Sequence, residues 1–181
     1  MVDVVDTKRT EPRNTLKIFR AADAKSLFES ECMSMEQMER APQQALAKAV
    51  DAGILEGDKV TVLTQMPGFS LVHAWFKKDY PLPRHSHNAD CMYYVVAGSL
   101  RLGTEELVAR DCFFVPAGVP YTYTPGPDGV EILEVRHNVN FNFVNLAYNE
   151  TFWNKAAETC AENLEDWKNA VPPSELLRRV E

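Results

Sequence analysis

The sequence predicts an all-β fold, a barrel or sandwich of antiparallel strands with helical extensions at both ends. Two observations carry that reading. Between residues 59 and 148 lie many short β-rich runs punctuated by Gly, Pro and Asp, with no helical pattern between them. Before and after that zone, the apolar residues recur at helical spacing instead.

The first zone, 1–58, is polar and helix-favouring. Ser26-Leu-Phe-Glu29 places Glu three residues after Ser, which is the signature of a capping box. "MSMEQMERAPQQALAKAVDAG" carries Met, Leu and Ala at helical intervals, with Pro42 expected to split it and Gly53 to stop the second piece. The Met-rich part, 33–38, reads as packing. The middle zone holds "KVTVLTQM", "FSLVHAWFKK", "CMYYVVAGSLRL", "EELVARDCFFVPAG", "YTYTPG" and "VEILEVRHNVNFNFVNLAY" as strands. The last zone, 149–181, opens a helix at Asn149 or Thr151 with Phe152, Ala156, Leu164 and Trp167 near one face. "VPP" at 171–173 ends it. No internal repeat or low-complexity tract interrupts the pattern.

At 181 residues, 45% hydrophobic and 25% charged, the chain suits one packed domain. A formal charge of −7 argues against a nucleic-acid partner and against attraction to anionic membranes. The first residues hold acids and no apolar core, so no signal peptide is expected, and no 18 apolar residues run together. The four cysteines, Cys32, Cys91, Cys112 and Cys160, lie far apart, which suggests reduced thiols and a cytoplasmic location.

Chemistry concentrates in "PRHSHNADCMYYVVAG", 83–98. On a strand, His85 and His87 point to one face because side chains alternate with period two. Two neutral imidazoles at about 2.0–2.1 Å from a divalent ion make half of a metal site. The plainer alternative is a pair of exposed loop histidines after Pro83.

This stretch resembles the first motif of the cupin superfamily: Gly, five residues, His-x-His, three or four residues, Glu, six residues, Gly. Pro116-Ala-Gly118-Val-Pro-Tyr121 resembles the second, Pro-x-Gly-x-x-His. The resemblance covers roughly residues 60–145. It implies a double-stranded β-helix, a jelly-roll barrel, with a metal at its mouth. Three positions depart from the pattern: Cys91 stands for the Glu, Tyr121 for the second-motif His and Asp79 for the first Gly.

Several completions of the site remain open at this level. Cys91 could ligate as a thiolate, or face Tyr121 or Tyr123 as in cysteine dioxygenase-like cupins; it could equally be a small buried hydrophobe. Glu134 or His137 could supply a ligand, depending on whether "PGPDG" is a tight turn and on the register after it. His73 reads better as a hydrogen-bonded core or interface histidine, though it could line the pocket. Asp90 has the wrong parity. Tyr93, Phe114, Tyr121 and Tyr123 are the expected wall of a substrate pocket, Tyr123 also being a natural core filler, and Tyr121 a proton donor. Glu134 has a solvated alternative beside Glu131 and Arg136.

The expected function is therefore a metal-dependent enzyme, first an iron(II) oxygenase (a dioxygenase-type oxidoreductase) acting on a small apolar or aromatic molecule. Zinc, manganese or nickel would make it a lyase or isomerase, and a decayed site would leave a non-catalytic binding protein. A homodimer is expected through the N-terminal segment and the C-terminal helix with Trp153 and Trp167.

Overall fold

Alternation of apolar and polar side chains along the middle zone builds two sheets that face each other across an apolar interior. The computed structural model describes residues 16–36 and 42–178. The strands are β1 (Lys25–Ser26), β2 (Met33–Met35), β3 (Asp58–Met66), β4 (Phe69–Phe76), β5 (His85–Ser86), β6 (Cys91–Leu102), β7 (Glu105–Val108), β8 (Cys112–Val115), β9 (Thr124–Arg136) and β10 (Phe141–Asn145). The larger sheet runs β1-β3-β4-β9-β6-β7, with β8 also paired to β6, and the smaller runs β2-β10-β5. Every pairing is antiparallel except β2 with β10. This is the expected jelly-roll architecture, made as two sheets rather than one closed cylinder.

Parity decides what lies inside. Cys91, Tyr93, Val95 and Ala97 on β6 are buried, while Met92 and Tyr94 between them are exposed. Val130 and Ile132 on β9 and Ala74 and Phe76 on β4 join them in one cluster with Tyr121 and Tyr123. Where the two sheets meet at the other edge, Val62 and Val72 pack on Cys32, Ala89 and Phe141.

Helices close one end. Helix α1 (Leu27–Ser30) carries the predicted capping box, Ser26 and Glu29 each bonding the other's backbone N–H. Helix α2 (Gln43–Asp51) begins after Pro42, and Gly53 stops it at φ 93°, a left-handed conformation that glycine adopts without steric cost. Helix α3 (Glu150–Asn169) starts at the Asn149 cap, whose side chain accepts from Thr151 N–H at 2.8 Å. Trp153, Ala156, Cys160 and Trp167 of α3 pack with Ala45 and Ala49 of α2. Helix α4 (Pro173–Arg178) follows "VPP".

Three expectations change. Met33–Met35 is a strand, not helix, because Phe141–Phe143 supplies a parallel partner; residues 37–41 of the predicted helix lie outside the described residues. "TPGPDG" is no tight turn: Pro125 pairs with Leu100 inside β9, beside an irregularity at Gly98. Trp153 and Trp167 are 3% and 1% exposed within their own chain, so they cannot form a dimer interface. Among the described residues, no helix is long and apolar enough to cross a membrane.

Candidate metal centre

Strand β5 is only two residues long, yet backbone bonds on both sides fix it. His85 exchanges N–H···O bonds of 3.0 and 2.9 Å with Tyr121, and it pairs with Asn145 of β10 on its other side. The segment to His87 is held by Asn88 and Asn142, whose side-chain oxygens each accept the other's backbone N–H, at 2.7 and 2.9 Å. Asp90 faces away, as its parity requires, and accepts from Ala117 N–H at 2.7 Å. It thereby ties the first motif to the Pro116–Gly118 turn.

These contacts set the histidine tautomers. His85 Nδ1 lies 2.7 Å from the Pro83 carbonyl and His87 Nδ1 lies 2.5 Å from the Asn142 carbonyl. A carbonyl can only accept, so both Nδ1 atoms carry hydrogen and both Nε2 atoms present a lone pair. The rings sit 5.0 Å apart at 68°. His85 stacks on Phe143 at 4.7 Å and lies 4.4 Å from Tyr121, while His87 meets the edge of Phe141 at 5.3 Å. Burial disfavours the imidazolium in both, pushing His87 down to about 4 and lowering His85. The exposed-loop alternative is thus excluded: the two are 4% and 8% exposed.

Beside them runs a buried polar chain. Arg136 is fully buried; its Nη1 donates to Glu134 at 2.7 Å and its Nη2 to the Tyr93 hydroxyl at 3.2 Å. Tyr93 and Tyr121 share a hydroxyl hydrogen bond. The guanidinium lies 3.8 Å over the Phe141 ring. Burial alone would depress Arg136, but its neighbours, Glu134 foremost with Tyr93 and Cys91, together outweigh it and hold the group charged. Burial raises both tyrosines, keeping them protonated. It also pushes the Cys91 thiol up to about 12, so Cys91 sits at the site as a neutral thiol rather than a thiolate.

The structure sorts the remaining candidates. Cys91, Tyr93, Tyr121, Tyr123 and Glu134 all face inward, Glu134 through its pairing with Tyr93 and Arg136 rather than toward solvent. His137 is exposed, one residue past the end of β9, and lies outside the buried cluster that holds His85 and His87. His73 points to the outer face, its Nε2 at 3.2 Å from Glu131, and lines no interior pocket. Phe114 is 53% exposed; its neighbour Phe113 is the inner wall, stacked on Tyr93 at 4.5 Å. Sequence reasoning missed Arg136 as an interior group. Its even spacing from Ile132 and Glu134 was the available signal. Cavities of about 400 and 480 Å³ lie near Asp79 and Arg101, and neither is lined by His85 or His87.

His85, His87, Cys91 and Tyr121 therefore converge on one end of the interior, each where its motif position requires. Asp79, standing for the first-motif Gly, adopts φ 56°, the left-handed conformation that a glycine there would supply. Gly98, which closes the first motif, has φ 74°, and a Cβ on it would lie 2.1 Å from the Gly129 carbonyl oxygen.

In its strand arrangement and the placement of its two motifs the chain resembles the cupin superfamily.

Among solved structures it is similar to an RmlC-like cupin from Shewanella frigidimarina, at 27% identity and TM-score 0.41 over 45% of this chain and 76% of that one. It is similar to KdgF from Halomonas sp., at 21% and 0.40 over 45% and 82%. Oxalate decarboxylase OxdC from Bacillus subtilis matches at 18% and 0.45 over 50% of this chain and 28% of that one. No protein-family model matches the chain, and no curated protein sequence does.

The unprotonated ring nitrogens at this end of the interior are the Nε2 atoms of His85 and His87. Among the described residues no group of three His, Cys, Asp or Glu side chains is arranged to hold a metal ion. Without a metal, burial keeps Cys91 a neutral thiol, and Glu134 is engaged by Arg136.

Proposed function

We propose that this protein is a metal-dependent enzyme that holds a divalent ion, first iron(II), on His85 and His87 and acts on a small aromatic or apolar molecule. One observation carries the reading: both imidazoles are buried, kept neutral, and pinned through Nδ1 to backbone carbonyls with Nε2 free. A carbonyl partner on the non-ligating nitrogen is the arrangement that orients metal-binding histidines. When bound, the ion would supply Lewis-acid polarisation or, as iron(II), oxidative chemistry with dioxygen.

The chain's own groups supply the rest. Tyr121, protonated and 4.4 Å ring to ring from His85, is placed to donate a hydrogen bond to a substrate oxygen. Tyr93 and the Arg136–Glu134 pair orient that hydroxyl from behind. Phe113, Phe141 and Phe143 form aromatic walls that exclude water. Zinc, manganese or nickel in the same place would make a lyase or isomerase.

A second reading, a metal-free binding protein, is favoured by the absence of a third ligand among the described residues. Metal analysis of protein purified without chelator separates the two. The enzyme reading expects about one divalent ion per chain, falling to trace levels in His85→Ala and in His87→Ala. Full occupancy in both variants, or no metal in the wild type after iron(II) loading, overturns it. Dioxygen uptake by the iron-loaded protein with aromatic substrates then tests the oxygenase assignment.

A further inference from the structure

Counting hydrogens at the histidine end shows which way its hydroxyl groups donate. A guanidinium has donors and no acceptor, so the Tyr93 oxygen accepts from Arg136 Nη2 at 3.2 Å. Glu134 takes Nη1 at 2.7 Å and so holds the guanidinium in that orientation. Tyr93 and Tyr121 share one hydroxyl hydrogen bond, and each brings a hydrogen to it. The Tyr93 hydrogen can go to the Tyr121 oxygen or to the Cys91 sulfur. Sulfur is the weaker acceptor, and a cation bonded to the Tyr93 oxygen sharpens the preference of that hydrogen for the stronger one. Tyr93 therefore donates to Tyr121.

The Tyr121 hydrogen is left over, at the end of a row of donors running Arg136, Tyr93, Tyr121. Tyr121 is 9% exposed and its ring lies 4.4 Å from His85. Among the described residues its hydroxyl has no hydrogen bond other than the one to Tyr93.

We propose that this site selects a phenolate-type oxyanion, its charged oxygen held by the Tyr121 hydroxyl, with Arg136 a positioning residue that strengthens that bond through Tyr93. It rests on the proposed function for the place of a small aromatic ligand, and not on the metal.

Each donor in such a row polarises the next, and a buried donor aimed at a negative oxygen is worth more than one aimed at a neutral hydroxyl. A phenolate presents only lone pairs to the Tyr121 hydrogen, whereas a phenol brings a second hydrogen for which the row holds no acceptor. A carboxylate brings a second charged oxygen, for which the row offers no second hydroxyl hydrogen. The rings of Phe113, Phe141 and Phe143 suit the aromatic body of the ligand.

The test uses 4-nitrophenol, which is yellow only as its phenolate, with metal-free protein, so that the chain's own groups alone hold the probe. A pH titration by absorbance should show phenolate bound about tenfold more tightly than phenol, a drop of about one unit in the bound probe's pKa. Tyr121→Phe keeps the ring and should abolish that preference. Tyr93→Phe, and Glu134→Leu combined with Arg136→Met, leave the Tyr121 hydroxyl in place and should each reduce the preference about threefold. 4-Nitroanisole, the same body with no ionisable group, should bind the wild type and every variant alike by calorimetry. Equal binding of the two forms overturns the proposal, and so does tighter binding of the phenol, which would make the Tyr121 oxygen an acceptor. A preference that survives both Tyr93→Phe and the double variant overturns the row of donors, and loss of both probes together in the double variant makes Arg136 merely structural. 4-Nitrobenzoate bound as tightly as the phenolate, or no binding of 4-nitrophenol at millimolar concentration, overturns the ligand class. With no metal present, a failed metal assay leaves each of these outcomes readable.

Discussion

At the helical end of the barrel, both indoles of α3 are satisfied. Trp153 Nε1 donates to Ala147 O at 2.7 Å and Trp167 Nε1 to Lys78 O at 2.8 Å. The Lys77 ammonium caps the carbonyls of Glu56 and Trp167 at 2.6 and 2.7 Å. At the histidine end the aromatic content is similar, but hydrogen-bonding capacity is left unspent: two Nε2 lone pairs, and an Arg136 Nε with no partner. Burying unsatisfied polar groups costs stability, about 1–3 kcal/mol each. The helical end is built to hold the fold together, and the histidine end gives up stability to keep ligand atoms available.

The sharpest way to break that contrast is at the helical end. Trp167→Ala should cost about 4 kcal/mol in urea unfolding, because its ring is 1% exposed and packs against Tyr80 and Gly57. Metal uptake by the folded fraction should not change. At the other end, Glu134→Leu should cost about 3 kcal/mol by leaving the Arg136 charge buried and unpaired. Adding Arg136→Met should recover most of that loss. If the double variant is as unstable as the single one, the ion pair is not the source.

A smaller effect separates the ends by pH. Burial pushes the Asp58 carboxyl up to about 6, with Lys77 opposing the shift. The folded state thus holds this proton more tightly than the unfolded chain. Its stabilising contribution is complete below about pH 4 and is lost as pH rises through about 6, with a slope of at most about 1.4 kcal/mol per unit. Asp58→Asn should flatten that segment of a stability–pH curve relative to wild type. Smallest of all, His137→Ala should change stability by less than about 0.5 kcal/mol and leave metal content intact, since the residue is exposed beyond β9.

The sequence made the strands legible wherever alternation met a turn residue, and the two histidines wherever motif spacing met parity. The same parity also separated Asp90 from its neighbours. What it did not reveal came from partners distant in the chain. Met33–Met35 carries helical spacing, and only β10, more than a hundred residues later, draws it into a sheet. Phe113 and Phe114 differ by one residue, and only the pairing of Tyr93 with Phe113 decides which lies inside. His137 and Glu134 were separated by a register that depended on "PGPDG" being a turn, and that segment is strand. Arg136 looked solvated until Glu134, Tyr93 and Phe141 were seen around it.

The central claim is that the Nε2 atoms of His85 and His87 are the metal-binding atoms, and nitrogen-15 NMR of histidine-labelled protein tests it most directly. In the metal-free protein both rings should show protonated Nδ1 and unprotonated Nε2, unchanged from neutral pH down to about pH 5 for His87, as its lowered pKa requires. Adding zinc should move the Nε2 resonances of both rings together and saturate at about one ion per chain, while their Nδ1 signals keep their protons. Contradiction would be equally plain: Nε2 resonances of His85 and His87 that stay in place while zinc binds elsewhere, or does not bind at all.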